Sequence, residues 1–205
     1  MSDFRLAFAR TNSNEGGVNF NPADRGNIVV NGVCTLPTYR GVAPASWPKW
    51  GGFKYIRTCI DSMVNMPAYG SGAYYAWARH LNMNLALINA LAAMVEAFYM
   101  DNFWKRLGDI EDQHIANAVY DLDVNTGSMG SKIMQRAARV LDDGSIGPKS
   151  IVAINALDPV QLLADFNLRA KTYYEQVVTH NPSQKIFEHS WMGRLKTYDN
   201  APFVA

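Results

Sequence analysis

Cysteine and charge are both scarce in this chain. Cys34 and Cys59 are the only cysteines in 205 residues, too few for the bridged framework of a small secreted domain. They can pair if the fold brings them together, and a reduced state suits them equally. Charged residues make up 18% and the formal net charge is +1, so no nucleic-acid partner is expected. The four histidines, His80, His114, His180 and His189, share no metal-ligand spacing. No metal and no other cofactor is therefore expected. Serine and cysteine nucleophile motifs are missing, as are repeats and low-complexity tracts. Disorder is expected only in the first residues and in the tail from Asp199 to Ala205. The start, Met1-Ser2-Asp3-Phe4-Arg5-Leu6, has no apolar run behind a basic segment and does not read as a signal peptide. The most apolar stretch, Met83–Met100, is interrupted by Asn84, Asn89 and Glu96, each costly in hydrocarbon. It reads as the buried central helix of a globular body, with no membrane insertion.

Apolar residues make up 48%, enough for one generous domain or a main lobe with a satellite. Charge is unevenly placed. Residues 1–57 carry seven Arg and Lys against Asp3, Glu15 and Asp24, whereas residues 58–123 carry three against eight acids. A positive N-terminal portion suits an anionic polymer, and ordinary surface scatter accounts for it equally well.

Phe4, Ala7, Phe8 and Thr11 recur at helical spacing, so a first helix is expected over Asp3–Ser13. Gly16-Gly17 stop it and leave Glu15 at the helix exit. Val29-Val30 and Val33–Thr35 have strand propensity, and Asn31-Gly32 between them signals a tight hairpin. Prolines 22, 37, 44 and 48 punctuate the rest of a loop-rich lobe. Helices are then expected over Phe53–Val64, Gly72–His80, Asn84–Leu107, Ile110–Asp123, Gly130–Leu141, Pro148–Asn155, Pro159–His180 and Pro182–Leu195. Three of these begin on proline, which the first helical turn tolerates. Asp109, with or without Gly108, is expected to end one helix and cap the next. The pattern is a mainly α body with a small loop and β-hairpin lobe, leaving a cleft suited to a polymer.

Glycosidic bonds are usually cut by two carboxyl groups, one of which protonates the leaving oxygen. Glu15 and Asp24 lie nine residues apart, across a helix exit and the Asn21-Pro22 turn. Asp121/Asp123 and Asp142/Asp143 read instead as turn and surface residues. Spacing alone leaves Glu15 open to the plainer role of a solvated helix-end residue.

Glu15-Gly16-Gly17, then Asn21-Pro22-Ala23-Asp24-Arg25-Gly26, then Tyr39-Arg40-Gly41-Val42, resemble the glycoside hydrolase family 108 muramidases. Farther on, Phe98–Trp104 and Asp121–Gly127 resemble that family's Tyr-x-x-x-Tyr-Trp and Phe-Asp-x-x-Val-Asn-x-Gly segments. Gln135-Arg136-Ala137, Asp143–Ser150, Arg169, Tyr173-Tyr174 and Trp191–Arg194 resemble the peptidoglycan-binding segment that accompanies it. The resemblance implies a lysozyme-like fold, with a catalytic region over 1–107 and a helical peptidoglycan-binding region over 108–205 in the same globule. It implies hydrolysis of the β-1,4 bond between N-acetylmuramic acid and N-acetylglucosamine, with Glu15 as acid and Asp24 as second carboxylate. Thr38, Tyr39, Trp104 and Asn125 are the candidate substrate-binding residues. The implied partner is the peptidoglycan glycan strand, bound by a monomer made in the cytoplasm and acting on the wall after release or delivery.

The chain departs from the family pattern at three points. Val18 stands where an aromatic is usual, Asn27 replaces a glycine, and Ile28–Pro37 reads as an insertion. Phage-type lysozymes often place a threonine six residues after the aspartate. Here that position is Val30, leaving Thr35 or Thr38 to supply the hydroxyl. Two other functions fit these residues: a non-catalytic wall-binding or phage-structural protein, and a lytic transglycosylase using Glu15 alone.

Overall fold

The structure, a computed structural model, describes residues 1–12 and 16–198. Its described residues are mainly helical with two small antiparallel sheets. The chain forms two compact units, one of Arg10–Tyr99 and one of Met1–Ala9 together with Met100 onward. The first helix, α1 (Phe4–Asn12), runs through the sequence boundary between them.

Among the described residues, all the strands lie in the Arg10–Tyr99 unit. β1 (Val18–Asn19) pairs with β4 (Thr38–Tyr39), Val18 opposite Tyr39 and Asn19 opposite Thr38. β2 (Ile28–Val30) and β3 (Val33–Leu36) form the expected hairpin, with an irregularity between Ile28 and Val29. Asn31 and Gly32 both take positive φ, 51° and 78°, as a two-residue turn matched to strand twist requires. A second tight turn was not foreseen. Tyr39 and Val42 exchange both backbone hydrogen bonds around Arg40 and Gly41, which also have positive φ. Arginine there is uncommon, and the Tyr99 hydroxyl secures the turn by donating to the Arg40 carbonyl at 2.7 Å.

Three helices complete this unit: α2 (Gly52–Asp61), α3 (Gly72–Ala86) and α4 (Asn89–Tyr99). Ser71 caps α3, its hydroxyl oxygen accepting from the Tyr74 N–H. The expectation of one buried helix through Met83–Met100 fails. Leu87 and Ile88 donate to carbonyls three residues back, tightening the end of α3, and Leu87 is 81% exposed. Apolar composition had concealed a helix break. Among the described residues no single helix is long and apolar enough to cross a membrane.

In the other unit a π-helical stretch, Met100–Trp104, leads to α5 (Gln113–Thr126), α6 (Met129–Ala137), α7 (Pro148–Asn155), α8 (Pro159–His180) and α9 (Lys185–Leu195). A short 3-10 turn, Pro182–Gln184, precedes α9 and takes the place of the first turn expected there. The buried helix is α5: every residue from Ile115 to Asp123 is buried. It is capped by Asp112, whose side chain accepts from the Ile115 N–H at 3.0 Å. Asp109 does not cap it; its carbonyl accepts from the Asn155 side chain. Gly130 lets α6 lie against α5, since a Cβ there would stand 2.6 Å from the Val119 carbonyl oxygen. Gln135 on α6 holds the Asp143–Ser145 turn, donating to Asp143 and the Ser145 carbonyl and accepting from the Gly144 N–H. Gly144 has φ 79°, so the Asp-Gly pair is built as the sequence suggested.

Candidate active site

Glu15 lies outside the described residues. The segment from Gly17 onward is tightly held. The Val18 N–H donates to the Asn82 side-chain oxygen at 2.9 Å. A Cβ on Gly17 would stand 2.0 Å from that same oxygen. A Cβ at the second glycine of Glu-Gly-Gly would therefore displace this α3 side chain.

The loop carrying Asp24 is built by short polar side chains bonding nearby backbone. Asn19 accepts from the Asn21 N–H and Asn21 from the Ala23 N–H, each at 3.0 Å. The Asp24 N–H returns to the Asn21 carbonyl. Both carboxylate oxygens of Asp24 are engaged: Oδ1 accepts from the Gly26 N–H at 2.8 Å, and Oδ2 from Asn19 Nδ2 at 2.6 Å. Asp24 is half-buried, with its orientation set from two sides.

Asn27, a departure from the family pattern, is buried and joins this loop to β4. Its Nδ2 donates to the Asn21 carbonyl, and its Oδ1 accepts from the Thr38 N–H at 2.6 Å. This brings Thr38 beside Asp24. A Cβ on Gly26 would stand 3.0 Å from Thr38 Oγ1 and 3.1 Å from Asp24 Oδ1. The Thr38 hydroxyl is buried with no hydrogen-bond partner among the described residues. Thr35 is elsewhere, exposed on the hairpin and donating to the Ile28 carbonyl. A hydroxyl buried without a partner costs free energy, which marks a place where a ligand or water would be bound.

Residues 8–127 match the family described as Glycosyl hydrolase 108. The chain belongs to that family. Residues 129–196 match the family described as Predicted Peptidoglycan domain. The structure of Brucella abortus SagA is similar in fold, with a TM-score of 0.61 at 18% identity, over 96% of this chain and 91% of that one. No curated protein matches this chain. The fold is lysozyme-like and mainly α with a small hairpin lobe, and the chain is a glycoside hydrolase directed at peptidoglycan.

The glycosyl hydrolase region contains Glu15, Asp24, Thr38, Tyr39, Trp104 and Asn125, and the described ones differ in burial and in the unit they belong to. Asp24 and Thr38 stand together in the Arg10–Tyr99 unit. Tyr39 follows Thr38 in β4 but is only 4% exposed, under the Arg40 guanidinium. Burial raises its phenol pKa, and the ring serves the core rather than offering a sugar a face. Trp104 belongs to the other unit and is 3% exposed, packed on Phe4 and Tyr120 with ring centroids 5.9 and 5.7 Å away. It too is a core residue. Asn125 is exposed on the last turn of α5, where its side chain donates back to the Asp121 carbonyl.

Asp121 and Asp123 correct the reading of them as turn and surface residues. They are 5% and 1% exposed. Asp121 accepts from Arg194 and from the Tyr198 hydroxyl, and Asp123 accepts from the N–H and hydroxyl of Ser131. Burial pushes the Asp123 pKa up to about 6, against the Ser131 hydrogen bonds. The other acid pair is nearer its expectation. Asp142 is ion-paired with Arg136, and Asp143 sits in the turn that Gln135 holds. Cys34 and Cys59 are free thiols, the first buried with its pKa raised to about 11. Among the described residues no three or more His, Cys, Asp or Glu gather as metal ligands would.

Proposed function

We infer that this glycoside hydrolase is an N-acetylmuramidase, cutting the β-1,4 bond between N-acetylmuramic acid and N-acetylglucosamine. In this reading Glu15 protonates the leaving oxygen while positive charge builds on the muramic acid ring. Asp24 and Thr38 hold the attacking water, the carboxylate taking its proton and the hydroxyl fixing its position. The observation that carries the reading is the unpartnered, buried Thr38 hydroxyl beside an Asp24 already oriented by Asn19 and the Gly26 N–H. A water-activating pair accounts for it, because water supplies the partner that the hydroxyl lacks. The same arrangement favours hydrolysis with inversion, in which the second carboxylate acts as base rather than as nucleophile.

Digestion of purified peptidoglycan tests this. Wild type should release reducing muramic acid ends that appear first as the α anomer. Glu15→Gln should abolish turbidity loss, and Thr38→Val should lower turnover by about 100-fold at the lower bound for a general-base contribution. Anhydro-muramic ends would assign a transglycosylase instead. Undiminished lysis by Glu15→Gln would refute the role given to that residue.

A further inference from the structure

Just beyond the Asp24 loop, a groove of about 650 Å³ runs between β1 and α3, inside the Arg10–Tyr99 unit. Val18 and Asn19 form one wall. Asn19 is the residue that donates to Asp24, and Val18 lies three positions after Glu15. The groove is therefore walled in part by the residue that orients Asp24.

The opposite wall is one stripe of α3. Tyr75, Ala78, Arg79, Asn82 and Met83 all line it, at the i, i+3, i+4, i+7 and i+8 spacing of a single helix face. This face is not packed as a helix stripe of such residues would be in a core: Tyr75 is 59% exposed and Arg79 and Met83 are exposed too. Tyr69, 46% exposed, adds a second aromatic. The buried Tyr74 ring lies between the two, with centroids 4.9 Å from Tyr69 and 5.2 Å from Tyr75. The two exposed rings thus have a fixed support, and rings held at low entropy cost with one polar end make good platforms for amphipathic ligands.

Arg79 is the one charged residue among the described residues lining the groove. Its guanidinium forms no ion pair or hydrogen bond with any described residue. Asn82 is not equally available, because its oxygen is committed to the Val18 N–H.

We propose that this groove is a subsite for a muramyl residue of the glycan, with Tyr69 and Tyr75 receiving the sugar and Arg79 receiving the carboxylate of its acidic substituent. Arg79 is then a specificity-determining residue that separates muramyl glycan from uncharged N-acetylglucosamine polymer. A planar guanidinium suits a carboxylate. That carboxylate belongs to the lactyl ether itself where the glycan is free of peptide, and to the stem peptide where the lactyl group is amide-linked. The proposal rests on the muramidase reading for its ligand, but binding can be measured apart from cutting.

Binding is measured on Glu15→Gln protein, by calorimetry, against three probes of matched length: peptide-free muramyl glycan, peptide-bearing muramyl glycan, and chitin oligosaccharide. Arg79→Gln should weaken binding to one or both muramyl probes by about tenfold, as expected for one charge-assisted hydrogen bond, and leave chitin binding unchanged. The arm that responds identifies the source of the carboxylate. Tyr75→Ala should weaken all three. An Arg79→Gln variant that binds every probe like its parent, or loses affinity for all equally, would overturn the proposal. If the parent discriminates muramyl glycan from chitin through Arg79 while wild type releases no reducing muramic acid ends, the muramidase reading fails and the subsite stands.

Discussion

Arg194 carries a measurable share of the stability of the unit that contains α5. Asp121 sits on α5 with one oxygen accepting from Arg194 at 2.9 Å and the other from the Tyr198 hydroxyl at 2.6 Å. Side-chain exposure is 18% for Arg194 and 7% for Asp121, so the pair is largely withdrawn from water. Arg194→Met removes the countercharge and leaves the carboxylate buried. Breaking such a pair costs about 3–5 kcal/mol, and the partial exposure of Arg194 places it near the lower end. Tyr198→Phe removes a single donor to a charged acceptor while Arg194 stays, a cost of about 2 kcal/mol. In a chain of this length each kcal/mol moves the midpoint by about 2–4 °C, so Arg194→Met should melt about 6–12 °C lower. The assay is thermal and urea unfolding followed by near-UV circular dichroism. Trp191, stacked on Tyr174 with centroids 4.7 Å apart, reports on the same helices. Asp121→Leu joined to Arg194→Met should recover much of the loss, because no charge is then left stranded. Additive losses in the double variant, or an Arg194→Met midpoint within about 1 °C of wild type, would refute a coupled buried pair.

Asp123 and Gly17 give two further expectations. The raised folded pKa of Asp123, about 6, means that the folded state holds the proton more tightly than the unfolded one. Its protonation therefore stabilises fully below about pH 4 and fades as pH rises to about 6, a swing on the order of 3 kcal/mol. Asp123→Asn should remove that portion of the decline, seen as the difference between the two stability–pH curves; parallel curves would count against the shift. Gly17→Ala puts a Cβ on the Asn82 oxygen and should displace the hydrogen bond to the Val18 N–H, lowering turnover on peptidoglycan about 100-fold through misplacement of a neighbouring catalytic group. Midpoints within a few degrees of wild type, checked by calorimetry, would show that the effect is local. Full activity in Gly17→Ala would mean that Asn82 does not position this segment.

Much of the local structure was legible in the sequence because it depends on local backbone preferences. Asn31-Gly32 forms its hairpin, and α7 and α8 begin at Pro148 and Pro159. The tight turn at Arg40-Gly41 was missed because arginine carries no propensity for positive φ and is held there by a residue far along the chain, Tyr99. The helix break at Leu87 was missed because apolar composition does not distinguish a residue facing the core from one facing solvent. The acids set aside as turn and surface residues show the same limit. Asp121 and Asp123 sit in a helix buried along nine successive positions, where their partners come from α6, α9 and the residues just after α9.

The order of the motifs by itself determined the family, and with it the peptidoglycan substrate. Which hydroxyl stands beside Asp24 was decided only by tertiary structure. Thr35 and Thr38 are equivalent in sequence, three residues apart. Asn27, bonded at once to the Asn21 carbonyl and the Thr38 N–H, draws β4 and not the hairpin to the aspartate. Likewise Trp104 matches an aromatic motif, yet Phe4 and Tyr120 enclose it. Backbone conformation is set largely by neighbours in sequence. Burial and hydrogen-bond partnership are set by segments that meet only in the folded chain.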